Sequence, residues 1–214
     1  MLPSRKKPLG PKPWSVYLSL WIGIIISTGS AFAFSNSFVV ELPRYLGDWY
    51  EYARTPNRFE DNTLNRDGKE FGPCFAARTT YWANGEIAVK VRNACERRAA
   101  DGSTTTESIT GKAVLQNGTN GRKLQIAFGS GIAQFFQRAI SGGGFPYWIY
   151  CIGPVNERGL YDWAVVSGPD KDYIFVLTRS RSIAASTREK ILQCGKKEGL
   201  PVDELIYRQY EAKR

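Results

Sequence analysis

Beyond residue 37 the chain consists of short apolar runs separated by turn-forming residues, and several runs alternate between apolar and polar positions. Alternation with a period of two indicates a strand that buries one face and exposes the other. The clearest sets of apolar positions are Ile87, Val89 and Val91, and then Leu124, Ile126 and Phe128. The pattern therefore predicts an all-β domain.

Eight runs satisfy these criteria, and we predict strands at 49–53, 75–82, 87–92, 108–115, 124–128, 147–152, 161–167 and 173–179. Asn84-Gly85 predicts a two-residue hairpin turn between the second and third strands, because both residues tolerate positive φ. Sequential antiparallel strands fit either a closed up-and-down barrel or a sandwich, and the pattern alone leaves both open.

The period changes near the carboxyl end, which predicts a single helix after the strands. Ser186 and Glu189 have the spacing of a capping box at its start, and Gly199 is expected to end it. Ile191 and Leu192 form an apolar stripe between these positions.

The first 33 residues predict a secretory signal peptide. Basic residues precede an uncharged apolar run at 14–29, and Ala31-Phe32-Ala33 supplies small residues for a cut before Phe34. An uncleaved membrane anchor is the alternative, although the apolar run is short and contains serines. We therefore expect a soluble periplasmic or extracellular protein whose mature domain is 34–214.

Charge and composition narrow the classes of function. The formal net charge is +9, and it is +5 for residues 34–214, because the leader contributes four basic residues and no acid. Without an arginine-rich block this charge does not indicate nucleic-acid binding, although it is compatible with contact with an anionic membrane surface. The chain has no histidine, which removes histidine-based triads and the commonest metal ligand, and we expect neither a metal nor another cofactor.

Four cysteines in an exported chain predict two disulfides. Cys74 and Cys95 lie equally far from the Asn84-Gly85 turn, so a tight hairpin places them opposite one another unless a bulge shifts the register by one residue. Cys151 then pairs with Cys194 by elimination, which joins the sixth strand to the helix. Free thiols with a redox or metal role are the alternative.

Gly47-Asp48-Trp49-Tyr50 resembles the Gly-x-Trp-Tyr signature of the lipocalins, and the run from Pro56 to Glu60 resembles the bacterial outer-membrane lipocalins and apolipoprotein D. Further similarity lies at 84–87, 111–113, 145–149 and 168–173. The resemblance implies an eight-stranded antiparallel up-and-down barrel with one carboxyl-terminal helix packed outside. It also implies that Gly47, Trp49 and Arg179 form the barrel floor, with Arg179 packed on the indole. The chain departs from the family's second motif, because Ile152-Gly153 is followed by an insertion at 154–159.

The same resemblance implies that the barrel cavity carries a small hydrophobic ligand, such as a fatty acid or a lysophospholipid, without catalysis. Candidate contacts are the aromatic side chains that strands direct inward, namely Tyr81 or Trp82, Trp148 or Tyr150, Trp163, and Phe175. Packing in the core is the alternative role for each of them.

Two other functions are weighed against this one. A lipocalin-fold enzyme acting on an enclosed lipid or isoprenoid would need Glu51, Glu107 or a reduced Cys74 in the cavity. A partner-binding protein would use long loops at 61–72 and 129–146; the second loop, with Phe135 and Phe136, predicts either a lid or a passive insertion. Asn117-Gly118-Thr119 has the pattern of a glycosylation site.

Overall fold

The computed structural model describes residues 38–61, 71–128, 144–208 and 210. The predicted signal peptide lies outside these residues, as do most of the loops at 61–72 and 129–146.

Eight antiparallel strands pair in sequential order, and β1 pairs with both β8 and β2, which closes them into a barrel. All eight predicted strands are present, so the barrel prediction is confirmed and the sandwich alternative is wrong. The strands are β1 Gly47–Arg54, β2 Ala76–Ala83, β3 Ala88–Arg98, β4 Thr104–Leu115, β5 Lys123–Phe128, β6 Phe145–Ile152, β7 Trp163–Ser167 and β8 Phe175–Thr178. β1 runs from the closed end to the open end, and each later strand reverses direction.

Three helices and a short ninth strand complete the described structure: α1 Leu42–Tyr45, α2 Arg58–Asp61, α3 Ala185–Lys197, a 3₁₀ turn at Val202–Glu204, and β9 Ile206–Tyr207. α3 is the predicted carboxyl-terminal helix, and it packs outside the barrel against β6 and β7. β9 pairs with the last residues of β1, on the edge that faces β2.

The predicted start of the carboxyl-terminal helix is wrong, and its predicted end is confirmed. Ala184 is the residue that caps α3, without a side-chain hydrogen bond, because its carbonyl accepts the amides of Thr187 and Arg188. The capping box at Ser186 is therefore wrong, since Ser186 already lies inside the first turn. Gly199 ends the helix as expected: its φ is +67°, and the next amide, that of Leu200, donates to the carbonyl of Gly195.

The hairpin between β2 and β3 is wider than predicted. Ala83 pairs with Val89, and the Asn84 amide donates to the carbonyl of Ala88 at 3.0 Å, so three residues form the turn. This pairing excludes a two-residue turn at Asn84-Gly85, and the type I′ conformation is absent as well, because Gly85 has a positive φ and Asn84 does not. The carbonyl of Ile87 accepts the Leu115 amide at 2.8 Å, which holds this residue against β4.

Both predicted disulfides are present, Cys74–Cys95 with Cα atoms 5.6 Å apart and Cys151–Cys194 with Cα atoms 6.2 Å apart. The geometric reason for the first was wrong, because the wider hairpin places Ala77, not Cys74, opposite Cys95. Cys74 precedes β2 and lies close enough to bond Cys95 from outside the ladder.

Two bulges decide which side chains face the barrel interior. The pairing of β1 with β8 shifts between Glu51 and Ala53, and the pairing of β6 with β7 shifts between Ile149 and Cys151. One extra residue at each bulge reverses the alternation. Glu51 and Ile149 consequently lie opposite the inward-facing Leu177 and Val166, whereas the side chains just after each bulge pack in a second cluster beneath α3.

The carboxyl-terminal segment closes the upper seam between β1 and β2, which pair directly only near the closed end. The Arg208 amide donates to the carbonyl of Tyr52 at 2.9 Å, continuing the β9 pairing. Tyr210 Oη lies 2.6 Å from the carbonyl oxygen of Glu51 and 3.0 Å from that of Ala77. One hydroxyl therefore bridges the two strands where they have separated.

Candidate functional site

The closed end of the barrel is built around Trp49. Gly47 begins β1 with a φ of +89°, a backbone conformation that residues with a side chain rarely adopt. Two residues later Trp49 is fully buried, and its indole N–H donates to the carbonyl of Tyr45 at 2.8 Å. Arg179 Cζ lies 3.5 Å from the indole ring, so the packing expected from the family resemblance is present.

Arg179 also satisfies backbone groups from several segments. Its Nε donates to the carbonyl of Tyr161 at 3.0 Å, and its Nη1 donates to that of Asp48 at 2.6 Å. Burial lowers the pKa of Arg179 to about 10, so the guanidinium stays charged at neutral pH. The floor is thus a cation stacked on an aromatic ring and hydrogen-bonded to the surrounding chain.

The insertion at 154–159 does not disrupt the hydrogen bonding of the closed end. The Gly153 amide donates to the carbonyl of Trp163 at 2.8 Å, and Val155 forms an isolated bridge with Tyr161. The Tyr161 amide donates to the carbonyl of Arg44 at 3.1 Å, which connects the insertion to α1.

Three tyrosines lie directly above the floor. Tyr147 Oη is 2.7 Å from Tyr45 Oη, and Tyr81 Oη donates to Tyr147 Oη at 2.9 Å. Burial raises the pKa of all three phenols, so they are neutral hydroxyls that satisfy one another. They form a small polar layer at the bottom of the interior.

The interior opens one step above this layer. Tyr81 and Val91 are neighbours across β2 and β3 and are 3% and 0% exposed. Two residues nearer the open end, Thr79, Asn93 and Ile109 occupy the same inward face of β2, β3 and β4, and none of them is buried. Two residues correspond to about 7 Å along a strand. The interior is therefore filled up to the tyrosines and accessible above them, and we call this accessible part the hollow.

Apolar side chains line the other wall of this hollow. Phe128 and Phe175 are partly buried and pack against the interior cluster. Phe145 lies on the inward face of β6 at the rim, 62% exposed, with its ring centroid 6.5 Å from that of Phe128. Together with Ile109, these rings give the hollow an apolar lining open to solvent.

Charged side chains gather at the open end. Arg97 is 4% exposed, and its Nε donates to Glu107 Oε2 at 2.9 Å; both residues are on inward positions. Across the mouth, Glu51 accepts from Arg208 Nε at 2.7 Å. Arg54 lies beside Glu51, with Nε 3.7 Å from Glu51 Oε1.

The Glu51 cluster contains more carboxylates than guanidiniums, because Glu60 and Asp61 of α2 pair with Arg54, and Glu60 also pairs with Arg208. Burial raises the pKa of Glu51, although Arg208 and Arg54 act in the opposite direction. The cluster carries one more negative than positive charge, and this excess also favours a raised pKa for Glu51.

Two of the six aromatic residues predicted to contact a ligand lie in the interior, Tyr81 at the bottom of the hollow and Phe175 in its wall. The other four face outward. Trp148, Tyr150 and Trp163 belong to the cluster beneath α3, and Trp82 is 43% exposed on the outside of β2. Tyr81 is thus the inward member of the pair Tyr81 or Trp82, and the prediction is wrong for Trp148, Tyr150 and Trp163. These three lie in β6 and β7, where buried residues occupy both faces, so alternation does not show which face is inward.

Sequence reasoning did not single out Ile109, Phe145 or Tyr147 as inward-facing. Phe145 and Tyr147 could have been found from Ile126 and Leu124, whose predicted inward face is confirmed. Ile126 pairs directly with Phe145, and Leu124 pairs directly with Tyr147. Ile109 shares its face with Ala113, which is completely buried.

The candidate catalytic groups are each engaged by a partner. Glu51 and Glu107 accept from arginines, and Cys74 is in a disulfide. Within the described ranges, no group of three or more acidic, histidine or cysteine side chains is arranged to hold a metal ion. In the same part of the chain, no helix has the length and apolar character needed to cross a membrane.

Comparison with known proteins identifies the family to which the chain belongs. A family model described as a lipocalin-like domain matches residues 40–210. The outer membrane lipoprotein Blc of Vibrio cholerae is 28% identical over 171 residues, covering 80% of this chain and 83% of the relative. Apolipoprotein D of Cavia porcellus is 30% identical over 178 residues, covering 79% of this chain and 80% of the relative.

Among solved structures, apocrustacyanin C2 superimposes with a TM-score of 0.50 at 16% identity, covering 79% of each chain, which supports the fold alone. The match of the family model over most of the chain, on a closed eight-stranded barrel with the Trp49–Arg179 floor, shows that the protein belongs to the lipocalin family.

Proposed function

We propose that the protein binds and carries a single-chain amphipathic lipid, such as a fatty acid or a lysophospholipid. The observation that carries this proposal is the gradient of exposure along the inward faces of β2, β3 and β4. Tyr81 and Val91 are buried at the closed end, whereas Thr79, Asn93 and Ile109 above them are accessible. Relatives named as an outer membrane lipoprotein and an apolipoprotein are consistent with a lipid-associated role.

The apolar chain of the ligand would lie against Ile109, Phe128 and Phe175 and end above the Tyr81–Tyr147 pair. Burial of apolar surface would drive binding, at about 25 cal/mol per Å² removed from water before the costs of association are subtracted.

The polar head would remain at the open end, where Arg97 and Glu107 carry opposite charges. A guanidinium recognises carboxylate and phosphate groups, and a neighbouring carboxylate suits a head group that also carries a positive charge. The charged rim therefore favours an amphipathic ligand over a wholly apolar one.

The alternative of an enzyme has less support. Glu51 and Glu107 are held in ion pairs and Cys74 is oxidised, so each candidate acid, base or nucleophile would first have to leave its partner.

We also propose that the protein is exported. Two disulfides indicate folding in an oxidising compartment, and the amino-terminal sequence has the character of a signal peptide. We expect amino-terminal sequencing of exported material to begin near Phe34; a membrane-integral product that retains residues 14–29 would contradict this.

The test is displacement of a fluorescent fatty acid by long-chain fatty acids and lysophospholipids. Ile109→Trp should fill the hollow and weaken probe binding by about tenfold or more, whereas Ser108→Trp, on the outward face of the same strand, should leave it unchanged. Equal losses in the two variants, with unchanged Tm values, would contradict the proposed cavity. Failure of the wild-type protein to bind any apolar probe would contradict the carrier function itself.

A further inference from the structure

The outer surface of β2, β3 and β4 lies away from α3 and is strongly basic. Its outward positions carry one acidic side chain, Glu96, and five basic side chains: Arg78, Lys90, Arg92, Arg98 and Lys112. We call this surface the basic face. The mature chain has a formal charge of only +5, so the basic side chains are concentrated here beyond what the overall composition requires.

The strand register brings the basic side chains next to an exposed tryptophan. Trp82 pairs with Lys90, and Lys90 pairs with Lys112 on the next strand, so the three side chains form a row across the sheet. Lys90 Nζ lies 6.0 Å from the centroid of the Trp82 ring. Arg92 is two residues farther along β3 on the same face and is exposed.

Apolar side chains project at the closed-end margin of this face. Trp82 is 43% exposed and Ile87, in the turn between β2 and β3, is 54% exposed. Neither is needed to fill the interior, which Tyr81 and Val89 occupy at the neighbouring positions. An amphipathic tryptophan ring is suited to the region of lipid head groups.

We propose that the basic face docks the protein on an anionic lipid bilayer, with Trp82 and Ile87 inserted among the head groups. Anionic lipids attract clustered lysine and arginine side chains, and such attraction weakens as salt concentration rises. Lasting association with a membrane generally needs a second contribution besides charge, which the two apolar side chains supply. Nucleic acid and acidic protein also carry negative charge, but neither accounts for exposed apolar side chains beside the basic row.

This inference does not depend on the proposed ligand, because every residue that it uses faces away from the hollow. The probe-binding experiment and the membrane experiment can therefore fail separately. Docking by this face would also leave the open end of the barrel unobstructed, since Trp82 and Ile87 lie near the closed end.

The experiment is co-sedimentation of the mature protein with sucrose-loaded vesicles of phosphatidylcholine, alone or mixed with phosphatidylglycerol. We expect binding to the mixed vesicles that falls with added salt, and little binding to pure phosphatidylcholine. Lys90→Gln/Arg92→Gln should weaken the binding by about tenfold. Lys190→Gln/Lys197→Gln is the matched control: it removes the same net charge from exposed positions of α3 and should have a much smaller effect.

Three further variants examine the apolar contribution and its acidic neighbour. Trp82→Ser should weaken vesicle binding, and brominated lipids should quench the fluorescence of the wild-type protein more than that of Trp82→Phe. Glu86→Gln, beside Ile87, should strengthen the binding. Equal losses of vesicle binding in the two charge variants would overturn the proposal, and so would identical quenching with and without Trp82. Wild-type binding that does not depend on lipid charge would overturn it as well.

Discussion

Arg179 lies over the indole ring of Trp49 and, from the same position, donates a hydrogen bond to the carbonyl of Asp48, the residue beside Trp49. Trp49 is in the first strand and Arg179 directly follows the last strand of the barrel. The contact therefore joins the two ends of the barrel sequence at its closed end.

The first prediction concerns this contact. Trp49→Ala should lower the free energy of unfolding by about 3–5 kcal/mol, the usual range for emptying a large aromatic site, and Arg179→Ala should cost less. The double variant should fall short of the sum, because the two side chains touch. Denaturant titration measures all three values; additive losses would mean that the contact contributes no coupling energy.

The second prediction concerns the buried charges of the Glu51 cluster. Arg208→Gln should destabilise the protein by about 3–5 kcal/mol at neutral pH, because it leaves three carboxylates facing a single guanidinium. Glu51→Gln should cost less, since two carboxylates then face two guanidiniums. Comparable losses in both variants, measured by denaturant titration, would contradict this account of the charge balance.

A third prediction follows from the raised pKa of Glu51. Between the ordinary glutamate pKa and the raised folded value, the native state binds a proton that the unfolded state has released, so this group adds stability as pH falls. The difference in unfolding free energy between the wild type and Glu51→Gln should therefore shift in favour of the wild type from neutral pH toward about pH 5. A difference that shifts the opposite way would mean that the ion pairs outweigh burial and lower this pKa.

A fourth prediction concerns the disulfides. Peptide mapping without reduction should recover Cys74 with Cys95 and Cys151 with Cys194. Removal of either bond should cost about 2–4 kcal/mol, and the longer loop of the second pair, 43 residues against 21, should add roughly 0.6 kcal/mol to its loss in the chain-entropy description. Recovery of free thiols from exported protein would instead favour the redox alternative.

A fifth prediction separates the rim from the outer surface. Phe145→Ala should weaken fatty-acid probe binding by about threefold to tenfold, because its ring lies on the inward face of the mouth. Trp82→Ala removes a similarly exposed aromatic ring from the outward face and should leave probe affinity unchanged. For the loop at 129–146 the two alternatives, a lid and a passive insertion, both stay open. A lid predicts that removal of Phe135 and Phe136 speeds probe release in stopped-flow measurements, and a passive insertion predicts unchanged release.

Local patterns in the sequence were sufficient for much of the fold. Alternation located the strands, and the Gly47–Trp49 signature located the floor. The cysteine pairs could also be predicted, because four cysteines allow few combinations once two of them flank one hairpin.

The directions of individual aromatic side chains could not be predicted in the same way. Trp148, Tyr150 and Trp163 lie in strands that are buried on both faces, because the interior covers one face and α3 covers the other. Apolar residues therefore occur at successive positions, and alternation does not show which of them point inward. The bulge after Ile149 additionally turns Cys151 outward. The wide turn at Gly85 similarly depends on the pairing of Ile87 with another strand.

The ion pairs at the open end could not be predicted from local sequence patterns either. Glu51 and Arg208 are 157 residues apart, and neither has a sequence neighbourhood that marks it as buried. Only closure of the barrel, followed by the addition of β9 to β1, brings them together.

The bridge from Tyr210 to Glu51 and Ala77 has a consequence for the order of folding. The residues that close the upper seam are synthesised more than 100 residues after the strands that they join. Hairpins such as β2–β3 can form early from local contacts, but the complete barrel has to wait for the segment that contains Tyr210. Until then the upper edges of β1 and β2 lack the segment that joins them, and unpaired strand edges are open to pairing with other chains.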